Sequence, residues 1–136
     1  SFTTEEIFGL VNKDTDKSIH LEKFTQIPSK WNNQELNDKW IKIKQIRDQA
    51  NISIENKRAN KVIGSSLEAK VKIKLNKKFY ELSKNFDFAE ICITSGAEII
   101  LDEKLDGEIN VETIKAEGEK CKVCWKISKN KCERHG

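Results

Sequence analysis

The chain has 136 residues, 37% apolar and 35% charged, with a net charge of +3. A chain this long can bury roughly two-thirds of its unfolded surface, so one modest domain or two small modules fit, and periodic apolar runs argue against disorder. No stretch approaches the roughly 20 apolar residues that span a bilayer, and no basic-then-apolar leader opens the chain, so the expectation is a soluble, cytoplasmic, monomeric protein without a membrane partner.

Methionine is absent, so Ser1 is not a natural start and the chain reads as a fragment of something longer. The charge is blocked along the sequence. Residues 57–84 carry nine basic and two acidic side chains, residues 85–112 one and eight, and residues 113–136 seven and three. Two basic blocks therefore flank an acidic one, and clustered positive charge attracts a polyanion, although lysine-rich runs are also commonly just solvated faces.

In chain order, Thr3-Thr4-Glu5-Glu6 before Ile7, Phe8, Leu10 and Val11 predicts a capped helix stopping near Asn12. Lys13 to Asn33 is expected to be an ordered connection anchored by Ile19, Leu21, Phe24 and Trp31. Leu36, Trp40, Ile43, Arg47, Ala50 and Ile54 then follow a 3.6-residue repeat with Arg47 as its one charged interruption, which predicts a long helix. Ala59, Val62, Ile63 and Leu67 extend the helical pattern to Ala69, with a bend near Gly64-Ser65-Ser66. Trp31 and Trp40 are expected in the core, and His20 as a packed loop residue.

The period changes to two where Val71, Ile73 and Leu75 alternate with Lys70, Lys72 and Lys74, a half-buried strand with one basic face. Phe79 to Phe86 fits a short helix. Residues 89–95 and 97–101 read as strands around Gly96, and Ile109, Val111 and Ile114 mark another after Asp106-Gly107. Cys92 is expected to pack in the core or sheet. Helices followed by a small mixed sheet give an α+β fold, with divisions at 1–69, 70–116 and 117–136. The acidic block reads as a solvated sheet edge, and no spacing suggests catalytic residues.

The tail carries the chemistry. Cys121-Lys122-Val123-Cys124-Trp125 is followed by Cys132-Glu133-Arg134-His135, with seven residues between Cys124 and Cys132. Each two-residue gap lets one turn aim two ligands at the same ion, and a Cys₃His set suits tetrahedral zinc, one per chain. Covalent haem would need His where Trp125 stands, and a thioredoxin-like pair needs a helix where Lys126 to Lys131 shows no helical period. Disulfides suit a cytosolic chain poorly. His135 lies close to the chain end, and water or another residue remains an alternative fourth ligand.

Four segments in order carry a resemblance: Ser1-Phe2-Thr3-Thr4-Glu5-Glu6-Ile7-Phe8, Ser18-Ile19-His20-Leu21-Glu22-Lys23-Phe24, Arg58 with Ile63-Gly64-Ser65-Ser66-Leu67-Glu68-Ala69, and the Cys-x-x-Cys-Trp run. Together they resemble the sequence that closes bacterial-type isoleucyl-tRNA synthetases. The resemblance implies that residues 1–69 end a helical anticodon-binding domain, that 70–116 form a junction sheet, and that 117–136 form a zinc module leaning on the anticodon region of an isoleucine-accepting tRNA. It implies that ATP is used by a catalytic domain this chain lacks, since the two class I signature motifs are missing, and that the rest of the synthetase is a partner in cis.

The same resemblance assigns Trp125 a place near the anticodon, while a plain cover over the zinc thiolates is the alternative. Lys57, Arg58, Lys61, Lys122, Lys126 and Arg134 are candidate phosphate contacts, because RNA readout combines stacking on unpaired bases with cations on the backbone. Three departures stand out: His135 where the family usually has Cys, a shorter gap between the ligand pairs, and Val123 where a basic residue often precedes the second Cys. A free-standing zinc ribbon binding nucleic acid without tRNA specificity is the rival reading, and a purely structural knuckle the third.

Overall fold

The computed structural model describes residues 2–12, 17–105, 109–132 and 134–135. They fall into two compact units, Ser1–Asn33 and Gln34–Gly136.

In the first unit, helix α1 spans Phe2–Asn12 and ends where the sequence predicts. The Glu5 carboxylate accepts from the Ile19 amide at 3.2 Å, tying α1 to a short 3₁₀ turn, Ile19–Leu21. The expected anchors are not buried: Leu21, Phe24 and Trp31 all lie exposed. Apolar side chains in an aperiodic segment show that burial would be favourable, not that the fold supplies it.

The second unit is built on helix α2, Gln34–Ala59, whose Ile43, Ile46, Ala50 and Ile54 are buried. The buried stripe takes Ile46, leaving Arg47 exposed, so the charged interruption expected in this face does not occur. Leu36 and Trp40 remain exposed at 48% and 39%; Trp40, expected in the core, sets its ring edge-on against Phe86 at 5.6 Å.

The helix does not continue towards Ala69. The Val62 amide reaches back to the Lys57 carbonyl (3.0 Å) and the Lys61 amide to Arg58 (2.9 Å), with Lys61 at φ 57°. These are the paired bonds of a Schellman stop, formed here without the customary glycine. A 3₁₀ turn at Ser66–Glu68 then leads directly into the sheet. Ile63 is buried, but Ala59 and Val62 are exposed, so the apolar spacing beyond Ala59 was mistaken for helical periodicity.

Strand β1, Ala69–Leu75, is central, with inward residues Ala69, Val71, Ile73 and Leu75 all fully buried. Strand β2, Gly96–Leu101, runs parallel on one side and β3, Asn110–Lys115, antiparallel on the other, giving the expected mixed sheet. The turn expected at Asp106-Gly107 lies outside the described residues. Helix α2 packs on β3 and β1, so the helix grouped by sequence with residues 1–69 shares its core with the sheet. Its Ser53 hydroxyl meets the buried Thr113 hydroxyl at 2.8 Å, satisfying both where a lone hydroxyl would be costly.

On the other face, Lys72 stands between Glu98 and Glu112 in the register, and the Lys70 ammonium lies 3.2 Å from Glu98. Much of the basic stripe of β1 is thus balanced by carboxylates from its neighbours.

The β1-to-β2 crossover contains α3, Lys77–Ser83, capped by Asn76, and α4, Phe88–Ile91, capped by Asp87. Residues 89–95 are therefore not a strand. The Asp87 carboxylate accepts from the amides of Ala89 and Glu90, and a second Schellman stop follows, Thr94 bonding back to Ala89 and Ile93 to Glu90 with Ile93 at φ 54°. An Asx cap thus turns a β-rich run into one helical turn. Cys92 is buried as expected, beneath that turn, and burial pushes its thiol up to about 11, with Arg47 pulling weakly the other way.

Candidate metal centre

The tail forms a small ribbon, β4 (Glu119–Lys120) paired antiparallel with β5 (Ile127–Ser128), enclosing Cys121 to Lys126. Gly118 enters it at φ 126°, and a Cβ there would run into the Ser128 carbonyl, so no other residue fits without opening the ribbon. Within the loop the Cys121 amide donates to the Lys126 carbonyl (2.9 Å) and the Trp125 amide to the Cys121 carbonyl (3.0 Å). This tight turn holds Trp125 at φ 66°, a left-handed conformation uncommon for a bulky side chain.

The loop brings all four expected ligands together. The donor atoms of Cys121, Cys124, Cys132 and His135 lie within 4.8 Å of one another. Cys124 Sγ is 3.6 Å from Cys132 Sγ, and His135 Nδ1 is 3.6 Å from Cys121 Sγ and 3.4 Å from Cys132 Sγ. A tetrahedron with Zn–S of about 2.3 Å and Zn–N of about 2.0 Å has edges of roughly 3.5–3.8 Å. The spacing therefore fits one ion of that size, and it is too long for a disulfide, whose sulfurs sit about 2.0 Å apart.

Local electrostatics divide the four donors: Cys121 and Cys132 are shifted towards the deprotonated form, Cys124 and His135 towards the protonated one. Amides of Cys124 and Val123 bring the Cys121 thiol down to about 6. Cys132 is lowered by the Arg134 amide and the His135 imidazole, and His135 is raised in turn by Cys132 and Cys121. Cys124 is pulled down by the Lys126 amide, but burial and the two neighbouring sulfurs outweigh it and leave the thiol raised. An incoming cation replaces the protons that the crowded sulfurs and imidazole share.

Trp125 is 59% exposed, and the Lys120 ammonium lies 5.8 Å from its ring centre. An indole buried over the thiolates would not show that exposure; a face remains open. Lys122, in the same loop, is exposed. Lys126 and Arg134, expected on phosphate, both turn to one carboxylate: Glu90 Oε1 accepts from Lys126 Nζ at 2.5 Å and from Arg134 Nη2 at 3.0 Å. Lys57, Arg58 and Lys61 sit apart from this group, at the end of α2, where Arg58 pairs with Glu55 at 2.7 Å. Arg58 and Lys61 border a shallow hollow that shares no lining residue with the cleft beside the knuckle.

Sequence reasoning did not single out Glu90, Ser95, Gly118 or Lys120. The Ser95 hydroxyl accepts from the Ile127 amide (2.6 Å) and donates to the Leu67 carbonyl, fastening the ribbon to the start of the sheet. Glu90 lay hidden in an acidic run that reads as solvated edge, and only the fold brings it beside the tail.

The chain as a whole has close relatives in sequence. A segment of an isoleucine–tRNA ligase from Pelagibacter ubique is 61% identical over 135 residues, covering 99% of this chain and 15% of that protein. Isoleucine–tRNA ligases from Agrobacterium fabrum and Bartonella henselae are 38% and 37% identical, covering 93% and 95% of this chain and 14% of each relative. The chain matches the C-terminal region of isoleucine–tRNA ligases. It spans about 15% of the length of these curated relatives, which are class I synthetases. No family model matches it. Among the described residues, no helix is long and apolar enough to cross a membrane.

Proposed function

We propose that this chain is the noncatalytic C-terminal part of a cytoplasmic, monomeric isoleucine–tRNA ligase, in which a zinc knuckle helps position the anticodon end of isoleucine-accepting tRNA. In that reading 1–69 close the anticodon-binding helices, 70–116 form the junction, and 117–136 hold the metal. ATP-dependent activation and transfer to tRNA belong to the remainder of the enzyme, the partner in cis.

Zinc would be held by Cys121, Cys124, Cys132 and His135, where it supplies structural cross-linking. The observation that carries the reading is the pairing of this ligand set with an exposed Trp125 between Cys124 and Lys126. The turn fixes the indole, so little side-chain entropy is lost when an unstacked base lies against it. Lys120 lies over the ring as a cation for the adjoining backbone, with exposed Lys122 in the same loop, while Lys57, Arg58 and Lys61 offer a second, separate phosphate contact.

Competition binding with the full-length enzyme tests this. Isoleucine tRNA should outcompete other tRNAs, and Trp125→Ala should weaken binding about tenfold, the loss of one stacked base, while zinc content stays unchanged. Equal affinity for all tRNAs would favour a nonspecific zinc ribbon instead, and an unchanged affinity in the variant would leave only a structural knuckle.

A further inference from the structure

Among the described residues, Glu90 is the one carboxylate paired with cations from both ends of the ligand set. Lys126 follows the Cys121-Lys122-Val123-Cys124 pair by two residues, and Arg134 precedes His135 within the second pair. Both side chains converge on Glu90 Oε1, at 2.5 and 3.0 Å. Their guanidinium and ammonium hold the Glu90 carboxyl below the usual carboxylate range, with the hydrogen bond from Lys126 the largest cause.

Glu90 is itself firmly placed. It lies in the single turn of α4, between the Asp87 cap and the Schellman stop, so its backbone has little freedom. Its partners differ: Lys126 belongs to the ribbon, already fastened through Ser95, whereas Arg134 stands beside His135 in the second pair of donors. Apart from its approach to the sulfurs of Cys121 and Cys132, His135 has one local backbone bond, to the Cys132 carbonyl at 3.2 Å.

We infer that Glu90 is a positioning residue for the metal centre, clamping Arg134 against the ribbon so that His135 is presented as the fourth ligand. This rests on the zinc reading above and adds a dependence of metal retention on a residue outside the tail. It also removes Lys126 and Arg134 from the cations free to meet phosphate, leaving Lys120 at the Trp125 ring and Lys122 exposed in the same loop. The clamp acts by shortening the search of the His135 imidazole for its ion, which raises the effective concentration of the ligand.

The test is zinc release from the chain to an excess of a chromogenic chelator. Two half-exposed ion pairs together correspond to about a three- to tenfold effect, so Glu90→Gln should release zinc about three- to tenfold faster than the parent chain. Arg134→Gln should give a similar effect, and combining it with Glu90→Gln should add little. Glu81→Gln, which removes a comparable surface pair with Lys84, should leave release unchanged. Raising salt to about 1 M, where screening acts over roughly 3 Å, should speed release from the parent chain towards that of Glu90→Gln. With cobalt in place of zinc, Glu90→Gln should shift the visible ligand-field bands towards a three-sulfur site with a labile fourth position, a change that mere loosening of α4 does not produce. Zinc bound with equal release rates in parent and Glu90→Gln chains overturns the clamp and leaves the metal centre standing. A parent chain that binds no zinc overturns both.

Discussion

Replacing Ser95 by Ala tests how the knuckle is attached to the sheet. The Ser95 hydroxyl serves the Ile127 amide and the Leu67 carbonyl together, at a partly buried position. Alanine leaves both backbone groups without that partner, and at a half-buried site each lost bond costs about 1 kcal/mol. The sum of about 2 kcal/mol corresponds to roughly 30-fold in a local opening equilibrium. Hydrogen exchange of the zinc-loaded chain reads this directly: protection of the Ile127 amide should fall roughly 30-fold, while amides of β1 such as Ile73, paired on both sides, should change little. Ser95→Thr keeps the hydroxyl and should restore most of the protection. Unchanged protection at Ile127 would refute the reasoning, and so would an equal fall at Ile127 and Ile73, which would mean that Ser95 supports the whole fold rather than the attachment.

Removing the metal should release amide protection across residues 121–135 while α2 and β1 keep theirs, because structural zinc contributes on the order of 10 kcal/mol to a small site; a tail that stays protected after chelation would not be metal-organised. Gly118→Ala combines a left-handed backbone with a clash at the Ser128 carbonyl, strain of about 1–3 kcal/mol, and should weaken zinc binding about tenfold by opening β4 from β5, as chelator competition would read. Cys92 carries a pH signature. Its folded thiol is raised to about 11 from 9.0, mainly by burial, so its contribution to stability is complete below pH 9 and is lost as pH rises through 11. Urea midpoints of the parent chain should therefore fall more steeply over that interval than those of Cys92→Ala, and parallel curves would place the thiol in water.

What could be read in advance and what could not divides along the range of the interactions. The alternation of Val71, Ile73 and Leu75 is legible because a strand side chain has only two directions, and one of them met a core. The long helix was legible from its period, but not its end: Lys61 at φ 57° closes a Schellman motif that usually announces itself with glycine. Residues 89–95 misled for a related reason. Their β-branched content was outweighed by Asp87, whose carboxylate takes two amides and starts a helical turn. The exposure of Trp31, Leu21 and Phe24 was likewise out of reach, since hydrophobicity reports that burial is favourable and not what supplies it.

The sequence by itself determined the cluster of four donor side chains, because two-residue gaps between Cys121 and Cys124 and between Cys132 and His135 impose turns that each bring two donors together. It also determined the central strand and the kinship with isoleucine–tRNA ligases. Only the tertiary structure decided what the metal loop leans on. Glu90 and Ser95 stand 36 and 32 residues from Lys126 and Ile127, and such pairs form only once β1, α4 and β2 have been packed. Long-range partners depend on how elements settle against a shared core, and no local pattern of residues encodes that placement.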